Sequence, residues 1–421
     1  MAIKKIILTN FKSFKNLEIE LGNFHILIGA NASGKSNFIQ IFKFLRDVIN
    51  LGLDNAISMQ GGVFYLRNIK IGSSENFSME VTSDGEYGFL VRKKEKEQIG
   101  IKTYETIYKF AMKFNKKGLG FEIIEDKLIR KCDFIRIERK KGKIEEKEKL
   151  GQGEIILSKV NGKIIADFKK PSEILIEKDD IIPSYLRELH GEKLPPKALL
   201  FEQPFLLFPF PWRNIFGDIS IYDFDPKLPK KATPITGKAE LEEDGSNLAI
   251  ILKNIIENRD KERRFSNFVR DLLPFINEVD VERFADKSLL FKLQECYFPK
   301  DYLPASLISD GTINITALII ALYFEKKPLT IIEEPERNIH PHLISKIINM
   351  MKDASKKKQI IVTTHNPEMV KNAGLENILL VSRDKEGFST ISRPANKEEV
   401  KTFLKNEIGI EDLYVQNLLE V

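Results

Sequence analysis

Hydrophobic positions in the first 28 residues alternate with polar ones: Ile3, Ile6 and Leu8, then Leu17, Ile19 and Leu21, before the unbroken run FHILI. A period of two predicts half-buried strands, and a short continuous apolar run fits a strand covered on both faces of a parallel sheet. GANASGKSN follows, and after it FIQIFKFLRDVINLGL repeats its apolar residues at helical spacing. From about 75 to 210 the texture changes. Short β-like runs (IYKFAMKF, FEIIE, DFIRIER and EIILSKV) are parted by Lys/Glu/Gly stretches, which predicts an inserted, largely β lobe with charged hairpins. Residues 194–214, apolar and broken by prolines, read as a buried connection rather than a regular element.

Helical spacing returns over 245–275, strands are expected at VDVERF and SLLFKLQE, and LPASLISDGTINITALIIALYF supplies a loop and a strongly apolar helix. The strand LTIIEE, a helix over HLISKIINMMKDASKK, and strands at QIIVTTH and NILLVSRD complete an alternation that belongs to a doubly wound α/β sheet. No sustained heptad pattern marks a coiled-coil arm. The expected plan is a mixed sheet flanked by helices, with 1–74 and 211–421 as the two halves of one α/β domain and 75–210 inserted between them.

Composition narrows the setting. The chain of 421 residues has 42% hydrophobic residues, as an ordinary globular protein does, and no apolar run long enough to cross a bilayer. MAIKKIILTNF lacks a signal-peptide core, and Cys132 and Cys296 stand far apart without a metal-ligand pattern. A cytoplasmic protein with no membrane partner is expected. His340 and His342, two apart around a proline, read as loop histidines. Net charge is +5, but residues 92–150 carry 19 Lys and Arg against 11 Asp and Glu, a larger surplus than the whole chain's. That stretch is either a charge-laced solvated surface or a patch for nucleic acid or an acidic partner.

The chemistry lies in four short stretches. Gly29-Ala30-Asn31-Ala32-Ser33-Gly34-Lys35-Ser36 fits GxxxxGK[ST] between a buried strand and a helix. In such a loop backbone N–H groups face phosphates, Lys35 neutralises the β- and γ-phosphates, and Ser36 offers its hydroxyl to Mg²⁺. LTIIEEP then delivers two carboxylates from a strand end, Glu333 on the metal side and Glu334 to activate the attacking water. IIVTTHNP repeats the design and places His365 to sense the γ-phosphate. Roughly 290 residues separate the loop from its carboxylates, more than two βα units of about 30 residues fill, so a lobe is inserted within one site. Upstream, Ser306-Leu-Ile-Ser-Asp-Gly-Thr312 opens an apolar helix and makes a second phosphate-grade anion site. Two such sites in one chain suggest that each caps the other chain's nucleotide.

KKIILTNFKSFKN, GANASGKSN, DGSNLAIIL, LISDGT, IIEEPERNIHP and TTHNP together resemble the ABC-type ATPase heads of the RecF/SMC/OLD group, in particular stand-alone prokaryotic AAA-type ATPases. The resemblance covers both ends of the chain and leaves 75–210 aside. It implies a P-loop fold of ABC-head type, ATP and Mg²⁺ as cofactors, and head-to-head homodimers that sandwich two ATPs between phosphate loop and signature turn. By this resemblance Gly29 to Asn37 hold the nucleotide and Ser309, Asp310 and Gly311 reach the partner's γ-phosphate. Glu334 is the catalytic base, His365 the switch histidine, and Gln60, before Gly61-Gly62, a Mg²⁺ contact. Asp310 departs from the glycine that many transporters carry. About 40 residues follow the NILLVSRD strand, too few for the Toprim nuclease domain of OLD-type proteins, so no nuclease activity is expected. The implied function is a slow ATP-hydrolysing switch that controls a partner such as a separate defence effector. The alternative is a DNA-binding repair or structural ATPase that uses the basic lobe.

Overall fold

The structure, a computed structural model, describes residues 2–92, 98–116, 120–140, 143–172, 174, 194–202, 216–285, 287–405 and 408–420. Residues 203–214 of the proline-broken segment lie outside the described residues.

In chain order the elements begin with strands β1 (Ile3–Phe11), β2 (Phe14–Glu20) and β3 (Phe24–Ile28) and helices α1 (Lys35–Leu51), α2 (Leu53–Met59) and α3 (Val63–Leu66). Five strands follow: β4 (Phe77–Arg92), β5 (Gln98–Phe114), β6 (Phe121–Lys140), β7 (Lys143–Val160) and β8 (Lys163–Lys169). Then come β9 (Ile219–Tyr222), β10 (Thr233–Pro234), α4 (Leu248–Ile256), α5 (Arg259–Leu272), β11 (Ile276–Phe284), β12 (Ser288–Glu295) and β13 (Leu303–Pro304). The site elements come last: α6 (Asp310–Tyr323), β14 (Leu329–Glu333), α7 (Pro341–Ala354), β15 (Gln359–Thr363), α8 (Pro367–Ala373) and β16 (Ile378–Arg383). α1, at 17 residues, is the longest helix among the described residues, and none of their helices is long and apolar enough to cross a membrane.

These elements form two compact units. The first comprises Met1–Gly22, Ser36–Asp218 and Arg383–Ile391; the second comprises Asn23–Lys35, Ile219–Ser382 and Ser392–Val421.

The first unit is built on an antiparallel sheet in the order β2-β1-β4-β5-β6-β7-β8. β4 pairs with β1 in the register Ile6↔Val81 and Leu8↔Met79, so the lobe's first strand continues the N-terminal sheet. All four side chains are buried, as a period-two pattern with one covered face requires. Phe44 of α1 covers that face, its ring 6.0 Å from Phe11, 5.8 Å from Phe77 and 6.4 Å from Phe110. The short runs expected in this region are pieces of longer strands: IYKFAMKF lies in β5, FEIIE and DFIRIER both in β6, and EIILSKV in β7. The intervening charges are strand residues matched across the ladder, Lys131 with Glu105 at 2.6 Å, Lys149 with Asp133 at 2.8 Å and Arg136 with Glu148 at 2.7 Å. Opposite charges on neighbouring strands support pairing, which is why they do not interrupt it.

A buried polar knot ties residues 194–202 to the same sheet. Asp126 of β6 accepts from the Tyr108 hydroxyl at 2.7 Å and from the Leu200 N–H at 2.8 Å. Burial pushes its carboxyl up to about 7 against the lowering of those two donors. The Lys159 ammonium donates to the carbonyls of Pro195, Pro196 and Ala198 at 2.9, 3.1 and 2.5 Å.

The second unit holds five parallel strands in the order β16-β3-β15-β14-β9. FHILI, LTIIE and QIIVT are the middle strands, and all but Glu333 are buried, because helices cover both faces of a parallel sheet. α6 is apolar nearly all round for the same reason: Ile313, Ile315 and every residue from Ala317 to Leu322 belong to the core. The expected α/β plan is this unit's sheet, and it aims three motifs at one edge.

Candidate nucleotide-binding site

Parallel strands of a doubly wound sheet collect their loops at the carboxyl end, and ligands bind there. β3 ends in the loop after Ile28, β14 in Glu333, and β15, which lies between them, in Thr363. Glu333 and Thr363 stand opposite in the ladder, so the motifs that begin with them emerge side by side.

The loop turns tightly because its residues permit it. A Cβ on Gly29 would collide with the backbone oxygen of Val381, Gly34 has φ 121°, and Ala32 takes the left-handed region at φ 61°. Asn31 and Ala32 are exposed at the tip, while Ser33 and Gly34 are buried. Lys35 opens α1, and its ammonium donates to the carbonyls of Gly29 at 2.7 Å and Ala30 at 3.1 Å. Burial lowers the Lys35 pKa, and the charge of Glu334 opposes that. A lysine and a carboxylate that sense each other across the loop suit a phosphate and its water on the same edge.

After Glu333 the backbone reverses at once. Glu334 adopts φ 44°, a conformation that costs a non-glycine residue about 1–3 kcal/mol and is held only by strong local constraint. Its N–H donates to the Thr363 carbonyl at 2.9 Å, which supplies part of that constraint. Its Oε1 lies 2.9 Å from His365 Nδ1, and its Oε2 accepts from the Arg337 guanidinium at 3.0 Å. The other arm of Arg337 donates to Asp223 at 3.0 Å. Burial pushes the Glu334 carboxyl up, but Arg337 and His365 together outweigh it and the net direction is down. Glu334 is thus held ionised, ready to accept a proton.

Glu336, two residues on, is the opposite case. It is buried, its Oε1 accepts from the Thr364 hydroxyl at 2.5 Å, and its Oε2 has no hydrogen-bond partner among the described residues. Burial raises its pKa, so its surroundings favour the neutral acid. Two glutamates one proline apart are pushed in opposite directions, a separation of roles that acid–base sites commonly build.

Ser309 caps α6, accepting the Thr312 N–H at 3.2 Å. The acid that departs from the glycine of many transporters is neutralised here: Asp310 pairs with the Lys230 ammonium at 2.5 Å. Gly311 packs so closely on the next turn that a Cβ would overlap the carbonyl oxygen of Asn338. Asn314 donates to the Arg337 carbonyl at 2.7 Å. The turn from Ser309 to Gly311 and the turn after Glu334 are therefore in direct contact.

Residues 24–103 and 159–371 match the model of the family described as "AAA domain, putative AbiEii toxin, Type IV TA system", well over half of the chain. The chain belongs to that family. Membership agrees with the expected ABC-type ATPase head of the RecF/SMC/OLD group and with the P-loop fold described above. Over 134 residues this AAA family member is 26% identical to the Septu protein PtuA of Bacillus mycoides (strain KBAB4), a match that covers 29% of this chain and 18% of that protein. The chain thus matches less than a fifth of that relative's length. Among solved structures it is similar to an SMC head bound to the C-winged helix domain of ScpA, at 16% identity and a TM-score of 0.48, covering 93% of this chain and 97% of that one. A second similar structure is an SMC head with an extended coiled coil bound to the C-terminal domain of ScpA from Pyrococcus furiosus, at 15% identity and a TM-score of 0.47, covering 96% and 99%.

In this AAA family member the loop from Gly29 to Lys35, Glu333, Glu334, His365 and the turn Ser309 to Gly311 all belong to the second unit. Ser36 and Asn37 continue the chain into α1 within the first; Ser36 is exposed, and the Asn37 amide donates to Ser13 Oγ at 2.7 Å. Gln60 also lies in the first unit, where it ends α2 with a buried Oε1 that has no hydrogen-bond partner among the described residues. His340 and His342 are exposed with their Nδ1 atoms 2.7 Å apart, and no group of three or more metal-ligating side chains occurs among the described residues. Sequence reasoning missed Glu336, Arg337, Asp223 and Lys230. Glu336 and Arg337 stood inside IIEEPERNIHP, where a third acid and an arginine beside the two adjacent glutamates were a usable signal. Asp223 and Lys230 offered none.

Proposed function

We propose that this chain binds ATP with Mg²⁺ and hydrolyses it, and that two copies pair head to head around the nucleotides to govern a partner protein. The observation that carries this reading is Glu334, held between His365 at 2.9 Å and Arg337 at 3.0 Å on the sheet edge where the phosphate loop also emerges. Backbone N–H groups of residues 30–36 and the Lys35 ammonium bind and orient the phosphates. Glu333, half-buried at its strand end, would supply a carboxylate oxygen to Mg²⁺, the donor type that suits this hard cation. When bound, the ion supplies neutralisation of charge on the phosphates. Glu334 takes the proton of the attacking water, and His365 fixes its orientation. Ser309 and Gly311, with Asp310 neutralised by Lys230, present the start of α6 to a phosphate of the second copy.

Control of a separate protein finds support in the family description, which joins a toxin to a TA system. The DNA alternative rests on the basic stretch, and there Lys102, Lys131, Arg136, Lys147 and Lys149 stand in ion pairs with neighbouring acids. Cations matched in this way release few counterions, so these five add little to non-specific affinity.

The test is Glu334→Gln. ATP binding is retained, turnover falls by about 10²–10⁴-fold, the usual contribution of a general base, and a dimer accumulates in ATP and Mg²⁺. A variant that stays monomeric under saturating nucleotide overturns the paired reading. Lys35→Ala loses nucleotide binding; undiminished affinity overturns the phosphate-loop assignment.

A further inference from the structure

Arg337 does more than decorate the turn. Its guanidinium is a fork between two acids, one arm on Glu334 Oε2 and the other on Asp223 Oδ1, both at 3.0 Å. Two of these three groups are substantially exposed, with side-chain exposures of 41% for Arg337 and 55% for Asp223 against 30% for Glu334. Ion pairs at that exposure contribute little to stability, so neither arm is needed to hold the fold. Exchange between them is correspondingly easy. The groups that face Glu334 are Arg337, His365, Lys35 and, through the chain, Glu336. Among the described residues Arg337 is the one of these that hydrogen-bonds a second acid, Asp223, which directly follows β9.

The backbone of Arg337 is not free to drift. Its carbonyl accepts from Asn314, itself buried in α6, and Asn338 is pressed against Gly311. Whatever moves the first turn of α6 therefore moves the root of the arginine. A phosphate taken up by Ser309 to Gly311 is such a load, since it binds the same turn.

We propose that Arg337 is a positioning residue with two settings: on Glu334 it occupies one oxygen of the base, and drawn to Asp223 it leaves that oxygen to water. Engagement of the α6 turn selects between them, so the state of one nucleotide site is passed to the base of the other. The inference rests on the reading of Glu334 as base. No bond is made or broken; the device redistributes hydrogen bonds.

The two acids make opposite demands, and the experiment uses that. Turnover at saturating ATP and Mg²⁺ and nucleotide affinity are measured for the full chain and three exposed-site variants. Arg337→Gln frees Glu334 and raises turnover about two- to fivefold, the range of an exposed ion pair, with affinity unchanged. Asp223→Asn leaves the guanidinium wholly on Glu334 and lowers turnover by a similar factor. Arg337→Lys, a point charge that cannot fork, falls between wild type and Arg337→Gln. The proposal is overturned if Arg337→Gln and Asp223→Asn both lower turnover, as a purely structural role requires, or if affinity changes instead of rate. Glu334→Gln separates the two failures: retained turnover there removes the base, and the inference with it, whereas an inactive Glu334→Gln with same-sign effects at 337 and 223 removes the inference alone.

Discussion

The α-carbon of Gly311 lies so close to Asn338 that a single methyl group would overlap the neighbouring carbonyl oxygen. Backbone cannot swing aside as a flexible side chain does, so Gly311→Ala forces the start of α6 and the turn after Glu334 apart. Overpacking of this kind costs about 1–3 kcal/mol. Thermal unfolding is expected to show that loss, and turnover to fall further than stability does, because Arg337 and Glu334 ride on the displaced turn.

His365 and Arg337 hold different oxygens of Glu334, and their removal has different consequences. His365 sits at the end of β15, the strand next to β14, and fixes the carboxylate from a rigid neighbour. The His365 side chain is 58% exposed, and a contact at that exposure is worth up to about 1 kcal/mol, so His365→Ala is expected to slow turnover about two- to fivefold. Nucleotide affinity measured by calorimetry stays near wild type, since Lys35 and the loop are untouched.

Lys230 neutralises Asp310 beside the helix terminus proposed to meet a phosphate of the second copy. Lys230→Gln leaves an uncompensated carboxylate there and weakens ATP-dependent pairing by about 1 kcal/mol, or about fivefold. Asp310→Asn in the same chain restores it. A double-mutant cycle on the concentration dependence of turnover measures the coupling; additive losses would show that the pair has no part in binding.

Asp126 makes stability depend on pH. Its folded pKa of about 7 lies above the ordinary 3.8, so the folded chain holds this proton more tightly than the unfolded chain. The contribution is complete below about 3.8 and is lost as pH rises through about 7. Thermal unfolding across that window is expected to weaken with rising pH. Asp126→Asn flattens the slope and lowers the whole curve by about 1–3 kcal/mol, because the amide cannot accept from both Tyr108 and Leu200.

The motifs were legible because each is local. A loop of eight residues, two glutamates after LTII and a histidine after IIVTT are read where they stand, and parallel pairing of β14 with β15 then brings two of them together. The helices and strands of 245–383 were legible for the same reason: apolar period and length agree there. The long strands of the lobe were not. In β6 the run DKLIRKC separates FEIIE from DFIRIER and carries its own charges, yet it pairs on both sides, and only partners on β5 and β7 make that favourable. The pairing of β4 with β1 was equally hidden, since nothing in either strand names its neighbour. Arg337 meets an acid 114 positions away and Lys230 one 80 positions away, contacts that no window along the chain contains.

The unit that carries the phosphate loop is assembled from three separate stretches of chain, of which the first is only the thirteen residues Asn23–Lys35 and the last begins at Ser392. A ribosome therefore makes β3 and its loop long before the strands that flank β3 exist. Domains ordinarily fold as they emerge, but the sheet of this one cannot form until β14, β15 and β16 have followed β3 out of the ribosome. Until then the nascent chain holds an unpaired FHILI run and no assembled phosphate-loop edge.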